Sequence, residues 1–241
     1  MSVVYHLKGV VKSRAVNGVG FRLVVPSIQI KDREAVALVG YSGSGKSTLL
    51  DLLALVLRPD EAGRFTFLPR GLRPTDVAAT WKAGGQDTLS DLRKRHIGYV
   101  LQTGGLLPYL TVGENIGLSR RLLGLPADGT VEHLARILGV ERHLAKLPAF
   151  LSAGERQRVA FARALAHRPS IVIADEPTAS LDPVTARRVL AAVMDLVKEL
   201  GVTLITASHD WAQVNKLDFR SLHQESRERK GGNVVESLFR D

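Results

Sequence analysis

The chain has 241 residues, of which 45% are hydrophobic, so it can build one sizeable core or one core with an inserted subdomain. No apolar run approaches the roughly 18 residues that a membrane-spanning helix needs, and the absence of cysteine excludes disulfides and thiolate metal sites. The net charge is +9, but the basic residues are scattered and only 5% of residues are aromatic, so no nucleic-acid partner is expected. The first residues carry no signal-peptide pattern, and we expect a soluble cytoplasmic protein.

The N-terminal part of the chain is predicted to form strands around a glycine-rich turn. In residues 3–12 and 21–30, apolar and polar side chains alternate as they do in β-strands, and the pattern predicts an antiparallel edge sheet. An apolar strand over residues 35–39 precedes the turn, and a helix follows it to about Arg58. Residues 60–95 contain several glycines and prolines with little periodicity and are predicted to be loop with short strands. A strand over residues 97–101 then leads to Gln102.

The C-terminal part alternates helices with buried strands. Short helical patterns run from about 104 to 168, with capping-box spacing at residues 111–114 and 152–155. Continuous apolar strands over 171–174 and 202–206 enclose a long helix over 183–200, which predicts a largely parallel sheet covered on both faces. We therefore expect one α/β domain over residues 1–241 with a helical insertion. The tail from residue 224 is open: Gly231 and Gly232 could turn a hairpin between 219–223 and 234–237, or the tail could form a short helix.

The glycine-rich turn between strand and helix has the pattern of a phosphate-binding P-loop. Its glycines let the backbone wrap closely, so that N–H groups and the helix N-terminus point at phosphate oxygens. Lys46 supplies a positive charge to the β- and γ-phosphates, and Ser47 offers a hydroxyl to Mg²⁺. The predicted nucleotide-binding residues of the turn are Gly40, Ser42, Gly43, Ser44, Gly45, Lys46, Ser47 and Thr48. The chain is predicted to bind a nucleoside triphosphate.

Two carboxylates follow the buried strand over 171–174, at the edge where open α/β sheets place their ligands. Asp175 is placed to hold Mg²⁺ through water. Glu176 is then free to orient and deprotonate an attacking water. The alternative is an exposed acidic pair without a role, which a neighbouring P-loop disfavours.

The order of five further motifs makes the chain closely resemble the ATP-binding-cassette (ABC) ATPases over roughly residues 3–223. After the P-loop come Gln102, the run Leu-Ser-Ala-Gly-Glu-Arg-Gln over 151–157, Asp175 with Glu176, the run Ser-Leu-Asp ending at Asp182, and His209. The resemblance implies a P-loop NTPase (RecA-like) core, an antiparallel β edge subdomain and an inserted helical subdomain. It also implies Mg²⁺-dependent hydrolysis of ATP.

Further roles follow from the same resemblance. Gln102 matches the glutamine that reaches Mg²⁺ and senses the partner, and His209 matches the switch histidine on the γ-phosphate. Ser152 and Gly154 lie in the signature that contacts the γ-phosphate of the opposite protomer, which implies a head-to-tail homodimer or heterodimer with two ATP molecules between its protomers. Asp182 matches the aspartate that communicates across the dimer. Taken alone, Ser152 and Asp182 are also ordinary helix caps.

Two positions depart from the family pattern. Ala153 stands where the family usually has glycine, so close approach to phosphate is slightly less free. No aromatic follows the first strand at the position that stacks on adenine. Arg14 could stack its guanidinium plane on the base instead, or Tyr5 or Phe21 could serve. The preference for ATP over GTP stays open.

The resemblance implies the ATPase subunit of a membrane complex that drives a separate transmembrane permease-type protein from the cytoplasmic face. Residues 106–116 look like the docking surface. This stretch and the signature look most like the group serving lipoprotein release, macrolide export and cell division. The alternative is a soluble ABC ATPase acting in nucleic-acid maintenance, translation or cofactor assembly. A subunit that no longer hydrolyses ATP is disfavoured because Glu176, Gln102 and His209 are all present.

Overall fold

The structure is a computed structural model that describes residues 2–16, 19–209, 219–228 and 234–240. The chain divides into two compact units, residues 1–93 with 207–241 and residues 94–206. Each unit combines strands with helices, which confirms the predicted mixed α/β class. Across the described parts of the chain, no helix is both long enough and apolar enough to cross a bilayer.

The first unit is built on a sheet with the strand order β5-β4-β1-β2-β10-β9-β3. Its strands are β1 (Val3–Val16), β2 (Val19–Lys31), β3 (Ala35–Val39), β4 (Arg64–Phe67), β5 (Thr75–Asp76), β9 (Arg220–Glu228) and β10 (Val234–Arg240). β1 pairs antiparallel with both β2 and β4, and it buries Tyr5 and Leu7 opposite Ile30 and Ile28 of β2. The predicted antiparallel edge sheet is confirmed, and both of its long strands exceed the predicted lengths.

The C-terminal tail forms a hairpin, so the hairpin prediction is confirmed and the alternative helix is wrong. β10 pairs parallel with β2, and β9 pairs parallel with β3. Because each tail strand has a sheet partner on both sides, its backbone groups are satisfied by neighbouring strands rather than within a helix. Gly231 and Gly232, which the prediction placed in the turn, lie outside the described residues.

The helices of this part of the chain are α1 (Lys46–Leu53), α2 (Val77–Lys82) and α3 (Gln86–His96), the last of which runs into the second unit. α1 ends earlier than predicted, and Leu55 beyond it has a left-handed φ of 58°. The short strands predicted within residues 60–95 are confirmed as β4 and β5, but the prediction of loop for the remainder is wrong, because α2 and most of α3 lie there. α3 buries only Leu89 and Leu92, which leaves too narrow an apolar stripe to recognise in the sequence.

The second unit holds the strand order β8-β7-β6, in which β6 and β7 are parallel. Its elements are β6 (Ile97–Val100), α4 (Val112–Leu122), α5 (Thr130–Ile137), α6 (Ala153–Leu165), β7 (Ile171–Asp175), α7 (Pro183–Leu200) and β8 (Thr203–Ser208), which runs into the first unit. A Cβ on Gly98 would lie 2.2 Å from the Ala164 carbonyl oxygen, so only glycine lets α6 pack this closely on β6. The helical patterns predicted for 104–168 are confirmed as α4, α5 and α6.

Candidate nucleotide site

The glycine-rich turn connects the buried end of β3 to α1. Gly43 and Gly45 adopt left-handed φ values of 74° and 90°, which a residue with a Cβ disfavours. The Ser44 N–H donates to the Tyr41 carbonyl oxygen at 3.2 Å, which closes the turn. The local sequence thus imposes the reversal, and α1 begins directly after it, as in loops that bind anions at a helix N-terminus.

Lys46 begins α1 and is only 4% exposed. Its Nζ donates to the carbonyl oxygens of Gly40 and Tyr41, each at 2.9 Å. The ammonium is therefore held inside the loop by the backbone that encloses it. Ser42, Gly43 and Ser47 are exposed, whereas Ser44 and Thr48 are buried. The Ser47 hydroxyl is thus open to solvent at the first turn of the helix.

The three candidates for base stacking lie in very different surroundings. Tyr5 is completely buried; its ring stacks on Phe67 with centroids 4.8 Å apart, and its hydroxyl donates to the Leu53 carbonyl oxygen at 2.6 Å. Burial raises the pKa of Tyr5, and no base can reach this ring. Arg14 is exposed and stands opposite Phe21 in the β1–β2 register. The Phe21 ring packs on the P-loop, since a Cβ on Gly45 would lie 2.6 Å from its Cζ.

Asp175 and Glu176 lie at the carboxyl end of β7, where both are partly exposed. Glu176 has a φ of 41°, a left-handed conformation that a residue with a Cβ rarely adopts. Its carbonyl oxygen accepts the Ala179 N–H at 3.1 Å, which keeps the chain turning directly after the strand. A residue in such a conformation costs roughly 1 kcal/mol or more and commonly belongs to a functional site.

The signature residues form the N-terminus of α6. Ser152 is the N-cap of a complete capping box: its hydroxyl accepts the Glu155 N–H at 3.3 Å, and the Glu155 carboxylate accepts the Ser152 N–H at 2.8 Å. Gly154 lies against α7, because a Cβ there would be 2.7 Å from Thr185 Cγ2. Asp182 caps α7 by accepting the N–H groups of Val184 and Thr185, each at 3.0 Å. The structure therefore brings the starts of α6 and α7 together.

The Glu155 carboxylate should make the stability of the protein pH-dependent. Hydrogen bonds from the Ser152 backbone and hydroxyl, with the nearby His143, lower the pKa of Glu155 to about 2 from an ordinary 4.5. A lowered folded-state pKa stabilises the protein above pH 4.5, and this contribution is lost as the pH falls towards 2. We expect urea unfolding to show a steeper loss of stability below pH 4.5 in the wild type than in Glu155→Gln, which keeps the box but does not titrate. Parallel pH profiles would contradict this role.

The loop after Gln102 is tied to α6 by residues that the sequence prediction did not single out. Arg163 of α6 donates to the carbonyl oxygens of Gly104 at 2.9 Å and Gly105 at 2.8 Å. Gln102 itself is exposed at the start of this loop. A displacement of the loop must therefore act directly on the helix that carries Ser152. An arginine ten residues into a helix gives no sequence signal for this contact, because its partners lie nearly sixty residues away.

Asn115 organises the predicted docking loop and was also not singled out. It is completely buried, and its Nδ2 lies 3.0 Å from the carbonyl oxygens of Leu107, Leu110 and Thr111. Its Oδ1 accepts the Leu107 N–H at 2.8 Å. These bonds fix the backbone while the Tyr109 ring remains 72% exposed. The loop is consequently a rigid surface feature that presents an aromatic side chain to solvent.

A cavity of about 290 Å³ lies in the second unit beside Arg163, the residue that also bonds to the loop at Gly104 and Gly105. It is lined by apolar and basic side chains from β6, α4 and the end of α6, among them Ile97, Tyr99, Leu118, Leu122, Arg163 and His167. Burial lowers the pKa of His167 to about 4, so its imidazole is neutral at physiological pH. Leu122 is 63% exposed at the rim. We call this cavity with its rim the α4 groove.

The predicted site residues fall into two groups, one in each unit. Arg14, residues 40–48 and His209, which is exposed after β8, belong to the first unit; Gln102, Ser152, Gly154, Asp175, Glu176 and Asp182 belong to the second. Among the described residues, no three or more His, Asp or Glu side chains are grouped to hold a metal by themselves. The hydroxyl of Ser47, the amide of Gln102 and the carboxylate of Asp175 are hard oxygen donors that suit Mg²⁺, which commonly completes its coordination with substrate phosphates and water.

Comparison with known sequences shows which proteins this chain is similar to. The sequence model of the family described as ABC transporter matches residues 24–179. The chain is 39% identical over 191 residues to the lipoprotein-releasing system ATP-binding protein LolD of Nitrobacter hamburgensis, which covers 78% of each chain. It is 40% identical over 196 residues to the LolD protein of a Ruegeria species, covering 80% of this chain and 81% of that protein.

Comparison with solved structures gives the same picture. A dimeric post-hydrolysis state of the ATP-binding cassette MJ0796 with ADP and Pi superposes with a TM-score of 0.75 at 29% identity, covering 91% of this chain and 93% of that chain. CbiO1 of Clostridium perfringens, part of the ABC transporter complex cbiONQ, superposes with a TM-score of 0.76 at 28% identity, covering 92% of this chain and 85% of that chain. The likeness extends over most of the fold.

Proposed function

The chain belongs to the ABC transporter family as an ATP-hydrolysing cassette, and from that premise we propose that it works as a dimer on a transmembrane partner at the cytoplasmic face of a membrane. Residues 1–241 would form one nucleotide-binding domain. The observation that carries the proposal is the exposed apolar α4 groove beside a loop tied to the signature helix. The named relatives serve lipoprotein release, and we propose the same kind of task for this chain.

We propose that the P-loop binds the phosphates of ATP. Lys46 now bonds to two loop carbonyl oxygens, and a bound nucleotide would offer phosphate oxygens to the same ammonium. The N–H groups of the loop and the N-terminus of α1 add partial positive charge on the concave side. Arg14 is the exposed candidate for contact with the base. Binding thus depends on backbone shape as much as on the lysine.

Hydrolysis requires a base and a switch beside the phosphates. Glu176 would orient and deprotonate the attacking water, because it follows Asp175 at the strand end and its backbone is held in an unusual conformation. His209 would contact the γ-phosphate. Ser47, Gln102 and Asp175 would hold Mg²⁺, which neutralises part of the phosphate charge when it is bound.

The second ATP contact would come from the other protomer. Ser152 is the exposed N-cap residue of α6. A helix of 13 residues carries a partial positive charge at its N-terminus, which suits a γ-phosphate. Gly154 beside Thr185 connects this terminus to the start of α7, where Asp182 would communicate across the dimer. The MJ0796 cassette with ADP and Pi is a dimer, which supports the same assembly for this chain.

The transmembrane partner would dock on the α4 groove and the exposed part of the loop around Tyr109. An apolar cavity with a leucine at its rim fits the side chain of an amphipathic helix end. Arg163 lines the groove and also bonds to the loop after Gln102. A partner bound in the groove would therefore alter the contact between this loop and α6, the helix that carries the signature residues. Docking and nucleotide state would thereby influence each other.

The test is a pull-down of tagged Glu176→Gln protein with ATP from detergent-solubilised membranes of the native cell, read by mass spectrometry. We expect an integral membrane protein in stoichiometric amount. Leu122→Arg, which places a charge at the groove rim, should abolish its recovery while nucleotide binding persists. Leu72→Arg is the matched control, because Leu72 is also exposed but lies in the first unit. Recovery of only soluble proteins or nucleic acid would favour the soluble alternative.

A further inference from the structure

A single serine of the C-terminal hairpin is hydrogen-bonded to the P-loop. Ser237 lies in β10, is 1% exposed, and its hydroxyl donates to the Ser44 carbonyl oxygen at 2.6 Å. Its strand neighbours Leu238 and Phe239 are buried apolar residues. A buried hydroxyl in such a strand must find a partner, and here the partner is the backbone of the anion-binding turn, 193 positions away in the chain.

The bond fixes the direction of a backbone donor. The peptide bond between Ser44 and Gly45 is trans and planar, so its C=O and its N–H point in opposite directions. Because the Ser237 hydroxyl holds the carbonyl oxygen towards the hairpin, the Gly45 N–H is turned away from the hairpin. Gly45 has a left-handed φ and no Cβ, so its own side chain does not restrict rotation of this peptide.

Neighbouring contacts close the same side of the loop. A Cβ on Gly40 would lie 3.0 Å from Gln224 Cβ of β9, and one on Gly45 would lie 2.6 Å from Phe21 Cζ of β2. β10 pairs with both of these strands. Three adjacent strands therefore form a floor beneath the P-loop, and Ser237 supplies a directional hydrogen bond from this floor to the loop backbone.

We propose that Ser237 is a positioning residue for ATP binding: its hydroxyl orients the Gly45 N–H towards the phosphates. The proposal rests on the phosphate-binding role proposed for residues 40–48. A hydrogen bond from a backbone N–H to a charged phosphate is stronger than one to a neutral group, so its misorientation should weaken nucleotide binding about tenfold. The catalytic groups are untouched, and kcat should change far less than KM.

The experiment compares Ser237→Ala with Ser237→Thr and Ser27→Ala. Thr keeps the hydroxyl and should rescue binding. Ser27 is exposed on β2, the strand beside β10, and stands opposite Lys8 of β1, so its alanine variant removes a hydroxyl from the same sheet away from the P-loop. We expect about a tenfold rise in the Kd and KM for ATP in Ser237→Ala alone, with kcat within about threefold of wild type.

Two further measurements distinguish a change in the orientation of the Gly45 N–H from a general loss of protein stability. The melting temperature of the ligand-free protein should fall by only a few degrees in Ser237→Ala, as expected for one lost buried hydrogen bond, while the shift of the Gly45 amide resonance on adding ADP should shrink only in Ser237→Ala. Equal ATP affinity in wild type and Ser237→Ala would overturn the role of Ser237 and leave the P-loop assignment intact. Failure of the wild type to bind ATP would overturn both. Weak binding by Ser237→Ala and Ser237→Thr alike, with a lowered melting temperature in each, would also overturn it.

Discussion

Glu176→Gln is expected to lower ATP turnover by a factor of about 10² to 10⁴ while ATP binding is retained. The amide is nearly the same size as the carboxylate but cannot accept a proton from the attacking water. Steady-state phosphate release and equilibrium nucleotide binding measure the two properties separately. The matched control is Glu199→Gln on the exposed face of α7, which should turn over ATP at the wild-type rate. Near-normal turnover in Glu176→Gln would remove Glu176 from the role of base.

A second substitution at the same position separates chemistry from backbone strain. Glycine adopts the φ of 41° found at Glu176 without steric cost, so Glu176→Gly should lose turnover without losing free energy of unfolding. If the residue served only to hold the turn after β7, a glycine variant that folds normally would remain active. Urea unfolding and phosphate release on the same preparation distinguish the two cases.

Mixing Lys46→Ala protomers with Ser152→Ala protomers is expected to restore ATPase activity that neither has alone. If each site takes Lys46 from one protomer and Ser152 from the other, every mixed dimer contains one site with both residues intact. Random assortment then yields roughly a quarter of the wild-type number of complete sites. Phosphate release is measured against the mixing ratio, with differently tagged protomers to quantify mixed dimers. No recovery in a preparation shown to contain mixed dimers would contradict the shared site.

The capping box at α4 provides the control for this experiment. Thr111 and Glu114 repeat the geometry of Ser152 and Glu155, with the N-cap hydroxyl accepting the Glu114 N–H at 3.2 Å. Thr111→Ala should therefore cost about the same stability as Ser152→Ala, about 1 kcal/mol. Only Ser152→Ala should lose turnover. Equal losses of turnover in both variants would mean that the cap, rather than a contact with phosphate, explains the effect of Ser152.

The motifs and caps were predictable from the sequence because their interactions span few residues. The P-loop reversal follows from glycines two to five residues apart, and the caps at Ser152 and Asp182 bond to N–H groups two or three residues onward. The long strands and α7 were predictable because their apolar residues recur with the period of a strand or of a helix along the element itself. The assignment to a family needed only the order of these local signals along the chain.

The structure decided the features that depend on distant partners. The tail is a hairpin because β2 and β3 offer strands on either side, although its apolar residues also suit a short helix. Tyr5 is excluded from base contact because it meets Phe67 and Leu53 in the core. The ties from Arg163 and Ser237 join residues 58 or more positions apart, and no local pattern encodes them.

The sequence by itself determined which residues are candidates for the chemistry, because a glycine turn, a helix cap or a carboxylate after a buried strand is specified by its immediate neighbours. The tertiary structure decided how those residues are held: which strands lie beneath the P-loop, which arginine secures the loop after Gln102, and which groove is left exposed. These contacts form only when the sheet and helices pack, since burial and hydrogen bonding between distant segments depend on the whole fold rather than on any single stretch of the chain.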